Sequence, residues 1–197
     1  YVNSDVFNID IKGSGLYIRT NMSRLMYKTN NYYHYSINDV CNAVINLNNE
    51  LRKIGIVVNN IYKSEVIRLD LFKDIELDYT IHHYSNIFRD LQMSRVKRVD
   101  YVDGYRIGNK TQQIIFYDKV QELNQKGCNV NIDKYIMRAE VRLLKRKSVR
   151  RAGITDLEFL IHNFDKLNDI YKDLLGKAFY FNFNLENKDN SSTMEKT

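Results

Sequence analysis

The 197-residue chain has no proline, only two cysteines and only four histidines. Without proline there is no cis-proline turn and no polyproline segment. That lack, beside abundant Asn, Ile, Lys and Tyr, reflects AT-biased coding and bears on no mechanism. Cys41 and Cys128 stand far apart and in no metal-binding pattern, so the simple reading is a reduced, cytosolic compartment. His82 and His83 are adjacent, which on a helix points them about 100° apart. His34 and His162 stand alone, and all four histidines read as structural or surface residues. No apolar run approaches the ~20 residues of a membrane span. The sequence opens on Tyr1 rather than Met, so a fragment or processed piece of a longer protein is expected.

What is present is charge and a usable core. Thirty Lys and Arg against 24 Asp and Glu leave +6, and 44% of residues are hydrophobic. The length suits one domain with its own core. The basic excess makes a polyanion a plausible partner, although solvated charge explains it as well.

"VFNIDIKGSGLYIRT" predicts a hairpin, with Phe7, Ile9 and Ile11 alternating against Asn8, Asp10 and Lys12 around Gly13-Ser14-Gly15. "SINDVCNAVINLNNELRK" predicts a helix capped by Ser36, with Ile37, Val40, Val44, Leu47 and Leu51 on one stripe. "SEVIRLDLF" reads as a strand and "DYTIHHYSNIFRDLQM" as a helix. "RVDYVDGYRIGNKTQQIIFYDK" reads as strands joined near Asp103-Gly104 and Gly108-Asn109. A short helix over 119–126 and the strand "YIMRAEVRLLK" follow. "TDLEFLIHNFDKLNDIYKDLLGKAF" predicts one continuous helix, with Thr155 and Glu158 as its capping box. The order predicts an α+β fold, a mainly antiparallel central sheet with helices packed on one face. Residues 1–185 read as one domain, and 186–197 as a disordered polar tail.

Three strand segments place polar residues on one parity. Arg68 and Asp70 alternate against Ile67, Leu69 and Leu71. Tyr117 and Lys119 alternate against Ile114 and Phe116, with Ile115 breaking the pattern. Arg138, Glu140 and Arg142 alternate against Met137, Ala139, Val141 and Leu143. Side chains two apart on a strand share a face. Two readings stand. A half-exposed sheet needs a polar wet face, and cross-strand ion pairs are ordinary there. Alternatively, Asp70 and Glu140 hold Mg²⁺ or Mn²⁺, hard cations that prefer carboxylate oxygen. The metal then polarises a phosphodiester that Tyr117 attacks. A free tyrosine has a pKa of ~10 and needs a metal, base or cation to act at neutral pH. Lys119 supplies charge to the phosphorane, and Arg68, Arg138 and Arg142 clamp the backbone.

"VIRLDL", "IIFYDKVQEL" and "MRAEVRLLKR", in that order, resemble the replication initiators of filamentous phages, the gene II protein family. Some rolling-circle plasmid initiators and conjugative relaxases share the Tyr-x-Lys and Arg-x-Glu layout. The resemblance runs best over 64–153 and implies a rolling-circle-initiator fold and a DNA nicking–closing endonuclease. Tyr117 would form a 5′-phosphotyrosine and free a 3′-OH, with Lys119 beside it. Asp70, Glu140 and Glu122 would be the acidic positions of a Mg²⁺ or Mn²⁺ site. The implied partners are origin DNA, single-stranded or supercoiled, and a host helicase, with no membrane; the implied location is the cytoplasm of a bacterial host. Many such initiators bind metal through a His-hydrophobic-His motif, which is absent here. A relaxase-like nickase, a hydrolytic nuclease using Asp70, Glu140 and Lys119, and a non-catalytic DNA-binding module remain as alternatives.

Two basic runs suit phosphate contacts: Arg95, Lys97 and Arg98 in "MSRVKRVDY", and Arg138, Arg142, Lys145, Arg146, Lys147, Arg150 and Arg151 in "RAEVRLLKRKSVRRAG". Tyr32, Tyr33 and Tyr35 in "KTNNYYHYS" are candidates for stacking on unpaired bases.

Overall fold

The computed structural model describes residues 2–3, 6–13, 15–27, 35–89, 96–128 and 132–178, without the side chains of residues 2, 3, 89 and 97. The chain divides into two compact units. The first comprises Tyr1–Ser64 and Asp156–His162, the second Glu65–Thr155 and Asn163–Thr197.

In the first unit, β1 (Val2–Asn3), β2 (Phe7–Lys12) and β3 (Gly15–Thr20) form an antiparallel sheet in that order. Alternation turns Phe7 and Ile9 into the core, while Ile11, of the same parity, lies past the core's edge and is 74% exposed. Helix α1 (Met22–Tyr27) precedes α2 (Ile37–Lys53). Ser36 caps α2 reciprocally with Asp39, as each side chain takes up the other's backbone N–H. This satisfies donors that the first helical turn leaves orphaned. Val44, Leu47 and Leu51 then pack on Phe7, Ile9 and Leu25, with Leu157 and Ile161 of α6 (Leu157–His162) against the same cluster.

In the second unit, five strands form an antiparallel sheet: β4 (Leu69–Leu77), β5 (Lys97–Tyr101), β6 (Gly104–Gly108), β7 (Gln112–Asp118) and β8 (Tyr135–Leu143). Their spatial order is β4-β8-β7-β6-β5. Ile107, Ile114, Phe116, Met137, Ala139 and Val141 share one face. That face forms a core with Ile81, with Phe88 of α3 (Ser85–Arg89) and with Tyr171 and Ala178 of a helix over 166–178, α7. The fold is thus α+β with an antiparallel sheet, as the sequence predicts, and that sheet has five strands.

Three local expectations change. The segment 155–178 is not one helix: α6 ends at His162, residues 163–165 form a turn, and α7 starts afresh. The cap of α6 is Asp156, which accepts from the Phe159 N–H, rather than Thr155. An unbroken apolar stripe cannot reveal such a break, because both halves keep helical spacing. The expected helix around His82 opens instead as a 3₁₀ turn over Ile81–Tyr84 before α3. The basic run after β8 is helical, α5 (Arg146–Arg151), where the sequence pattern marks no helix. The 186–197 tail lies outside the described residues.

Candidate active site

The register of the second sheet sets the charged side chains out in rows. Tyr117 is opposite Arg138, which is opposite Asp74. One row along, Ile115 faces Glu140, which faces Phe72. In the third, Gln113 faces Arg142, which faces Asp70. Because side chains alternate, the face opposite the hydrophobic core carries Tyr117, Glu140 and Asp70 on the neighbouring strands β7, β8 and β4. Asp70 and Glu140 lie diagonally on adjacent strands. Tyr117 lies diagonally from Glu140 and two strands from Asp70.

This face is not simply wet. Arg138 is 4% exposed, Glu140 7% and Lys119 3%. A charge so deep must be paired, and each one is. Arg138 donates two bonds of 2.7 Å to Asp74, while its guanidinium lies 3.8 Å from the Phe72 ring centre. Arg142 donates to both Glu140 oxygens at 3.0 and 2.9 Å, and its Nε lies 3.8 Å from Asp70. Arg68 grips Asp70 at 3.1 and 2.7 Å nearer the surface. Burial works against the charged arginines, but Asp74 and Glu140 outweigh it and hold Arg138 and Arg142 above their ordinary pKa.

The Tyr-Asp-Lys triplet sits where β7 becomes α4 (Lys119–Gln125). Asp118 is the N-cap, accepting from Gln121 N–H at 2.9 Å. The strand therefore ends before Lys119, and its parity with Tyr117 is not a strand parity. Lys119 begins the helix, and its Nζ donates to Glu122 at 2.6 Å; Lys126 binds the other Glu122 oxygen. Burial pushes Lys119 below its ordinary pKa despite Glu122. At the less buried Glu122, burial is outweighed by the two lysines, and the carboxyl is held below its usual range. Burial, then the charge of Glu140, pushes the Tyr117 phenol well above its usual pKa. Tyr117 is thus a protonated phenol at neutral pH, and a nucleophilic role would require a base to accept its proton and a cation to stabilise the phenolate.

Tyr117 borders an open hollow of about 210 Å³. Gly104 and Ile115 line it with Tyr101, Glu122 and Arg142, and Asp103 stands there too. Gly104 is there by necessity: a Cβ would lie 2.1 Å from the Phe116 carbonyl oxygen and 2.9 Å from the Tyr117 Cβ.

The carboxylates gather only in part. Asp70 and Glu140 both reach one cation, the guanidinium of Arg142, and a divalent ion bound beside them would have two protein ligands, with water and phosphate left to complete its shell. A site that also includes Glu122 does not fit. Among the described residues no group of three His, Cys, Asp or Glu side chains is placed to hold a metal, and both oxygens of Glu122 are taken by lysines.

Of the expected DNA contacts, Arg146 and Arg150 both pair with Glu65, leaving Lys145, Lys147 and Arg151 exposed around α5. Arg98 turns to the other face of the sheet, binding Asp100 and the Phe88 carbonyl beside the Tyr105 ring. Arg95, Tyr32, Tyr33 and His34 lie outside the described residues, as does the side chain of Lys97. The Tyr35 hydroxyl is hydrogen-bonded to Ser23. His82, His83 and His162 are exposed, with His83 stacked on Tyr79.

Several residues of this face escaped the sequence reading. Asp74 and Phe72 continue the parity of Asp70 on β4 and were within reach of it. Tyr101 and Arg106 required the β5–β6–β7 register, which no pattern in the sequence fixes. No family model matches the chain, and neither does any curated protein or solved structure.

Proposed function

We propose that the chain is a DNA nicking–closing enzyme, a replication initiator acting through Tyr117. On this reading the α+β fold is that of a rolling-circle initiator. One observation carries the proposal: Tyr117 borders an open hollow on the face where Glu140, Arg142 and Asp70 meet. The Tyr117 oxygen attacks the phosphorus and forms a Tyr–O–P bond. The P–O3′ bond breaks, and the freed 3′ oxygen takes a proton to become the priming 3′-OH. The phenol proton leaves to water in the open hollow, since the oxygens of Glu140 and Glu122 are each held by their own cations. Arg142, partly exposed at the hollow, offsets charge on the phosphorane. Arg138 is held by Asp74 and acts only through its fixed charge. Mg²⁺ or Mn²⁺, held by Asp70 and Glu140, would supply Lewis-acid polarisation of the phosphodiester. The covalent link conserves the phosphodiester, so reversal reseals the strand without ATP. A bacterial cytoplasmic location and a host helicase that opens the duplex beyond the nick belong to the same proposal.

The test is incubation with single-stranded or supercoiled origin DNA and Mn²⁺ or Mg²⁺. A protein–DNA adduct that disappears in Tyr117→Phe is expected. An adduct unchanged by that substitution sinks the proposal, and cleavage without any adduct points to a hydrolytic nuclease. The completeness of ion pairing favours a second reading, a non-catalytic phosphate-binding module. That reading predicts salt-dependent binding that survives Asp70→Asn and Glu140→Gln, with no cleavage under either metal.

A further inference from the structure

The row through Tyr117 continues across the sheet. Tyr117 is opposite Gly104, and Gly104 is opposite Tyr101. Adjacent strands lie ~4.8 Å apart, so the two tyrosine backbones are separated by roughly 10 Å. Between them Gly104 contributes no side chain, and the hollow lies there. At about 210 Å³ it is smaller than the ~300 Å³ at which pockets for whole drug-sized molecules begin. One flat ring suits it.

The chemistry around the hollow is divided. Arg106, in the next row on β6, lies with its guanidinium 5.2 Å from the Tyr101 ring centre. Unlike Arg68, Arg138 and Arg142, it has no carboxylate partner among the described residues. Inside the hollow the free charge is of the other sign, from Asp103. At the Tyr101 end of the hollow Asp103 disfavours a phosphate, whereas a base offers ring faces for Tyr101 and amino or imino donors for a carboxylate; the Arg142 end, beside Tyr117, stays open to the scissile phosphate. The neighbouring phosphate belongs outside, on Arg106.

We infer that the hollow takes one unstacked base of single-stranded DNA, with Tyr101 stacking on the base and Arg106 holding a neighbouring phosphate. This rests on the reading of the chain as DNA-acting but not on Tyr117 being a nucleophile. Tyr101 and Arg106 are binding residues here, and they would place the strand beside Tyr117.

The experiment uses the full chain carrying Tyr117→Phe, so that no covalent adduct enters the measurement. Its probe is a fluorescein-labelled single-stranded oligonucleotide followed by anisotropy, with a parallel set carrying 2-aminopurine at successive positions. At one position 2-aminopurine fluorescence should be quenched on binding, because stacking on an aromatic ring quenches it. Tyr101→Ala should abolish that quench and weaken binding roughly 10-fold or more; Tyr101→Phe, which keeps the ring, should stay within about 2-fold. Arg106→Gln should lower the slope of log K against log salt by about one. Thermal melts check that each variant is folded. The inference is overturned if folded Tyr101→Ala binds as tightly as its parent, if Tyr101→Phe loses as much as Tyr101→Ala, or if the oligonucleotide does not bind at all. Loss of the adduct chemistry with these binding effects intact would remove the nicking proposal and leave this one standing.

Discussion

The charged face of the five-stranded sheet has two dissimilar halves. Over β8 and β4, Arg138, Arg142 and Arg68 are matched to Asp74, Glu140 and Asp70, and the middle of this half is as buried as a core. Over β6 and β5, Gly104 and Gly108 carry no side chain, Arg106 has only an aromatic partner among the described residues, and the surface opens into the hollow. Tyr117, on β7, stands where the halves meet. The closed half fixes charge in place, and a preorganised field of this kind stabilises a developing charge without reorganising. The open half gives a ligand room to enter.

If the closed half is rigid, breaking its most buried pair should have the largest effect. Arg138→Met leaves Asp74 charged and unpaired, at a cost of about 3–5 kcal/mol in urea unfolding. The double variant Arg138→Met/Asp74→Leu should recover most of that loss. A single variant no worse than a surface change would mean that the halves do not differ in this way. Next comes the open half. Gly104→Ala drives a Cβ against the Phe116 carbonyl, where only backbone can give way, and should cost about 1–3 kcal/mol. It should also weaken oligonucleotide binding, because the added methyl and the shifted strand disturb the hollow.

The boundary has its own test in pH. Burial and Glu140 raise the Tyr117 pKa. The folded chain therefore keeps a proton that the unfolded chain releases near pH ~10. The contribution to stability is full below that pH and is lost as pH rises towards the folded pKa. Between about pH 9 and 11 the melting temperature of Tyr117→Phe should fall less than that of the parent. Equal slopes would mean that Tyr117 is not buried beside Glu140. The smallest effect belongs to the outer pair. Arg68→Ala removes a partner of Asp70 that is 39% exposed, and the cost should be about 1 kcal/mol or less.

Much of this was legible in the sequence. Polar parity on "RLDLF" and "MRAEVRL" placed Asp70, Glu140 and Arg142 on one face, because alternation is a property of any strand. The Gly-containing turns marked the ends of β5 and β6. What parity could not say is whether the polar face is wet. It assigned Arg138 to DNA and set Lys119 on the strand face of Tyr117, but Arg138 is locked to Asp74 and Lys119 starts the helix expected over 119–126. The helix at 155–178 failed for a similar reason. Periodicity reports a face, not whether the backbone is continuous, and the turn at 163–165 keeps the spacing while α6 and α7 belong to different units.

By itself, then, the sequence determined most of the elements and the side of β4, β7 and β8 that carries charge, since both follow from short-range periodicity and capping. Only the tertiary structure decided which charges neutralise one another and which stay free. Pairing depends on register between strands far apart in the chain, such as β4 with β8 and β5 with β6 and β7. A one-residue slip would turn every side chain of a strand to the other face. Register is what put Asp74 beside Arg138, and a bare glycine between Tyr101 and Tyr117.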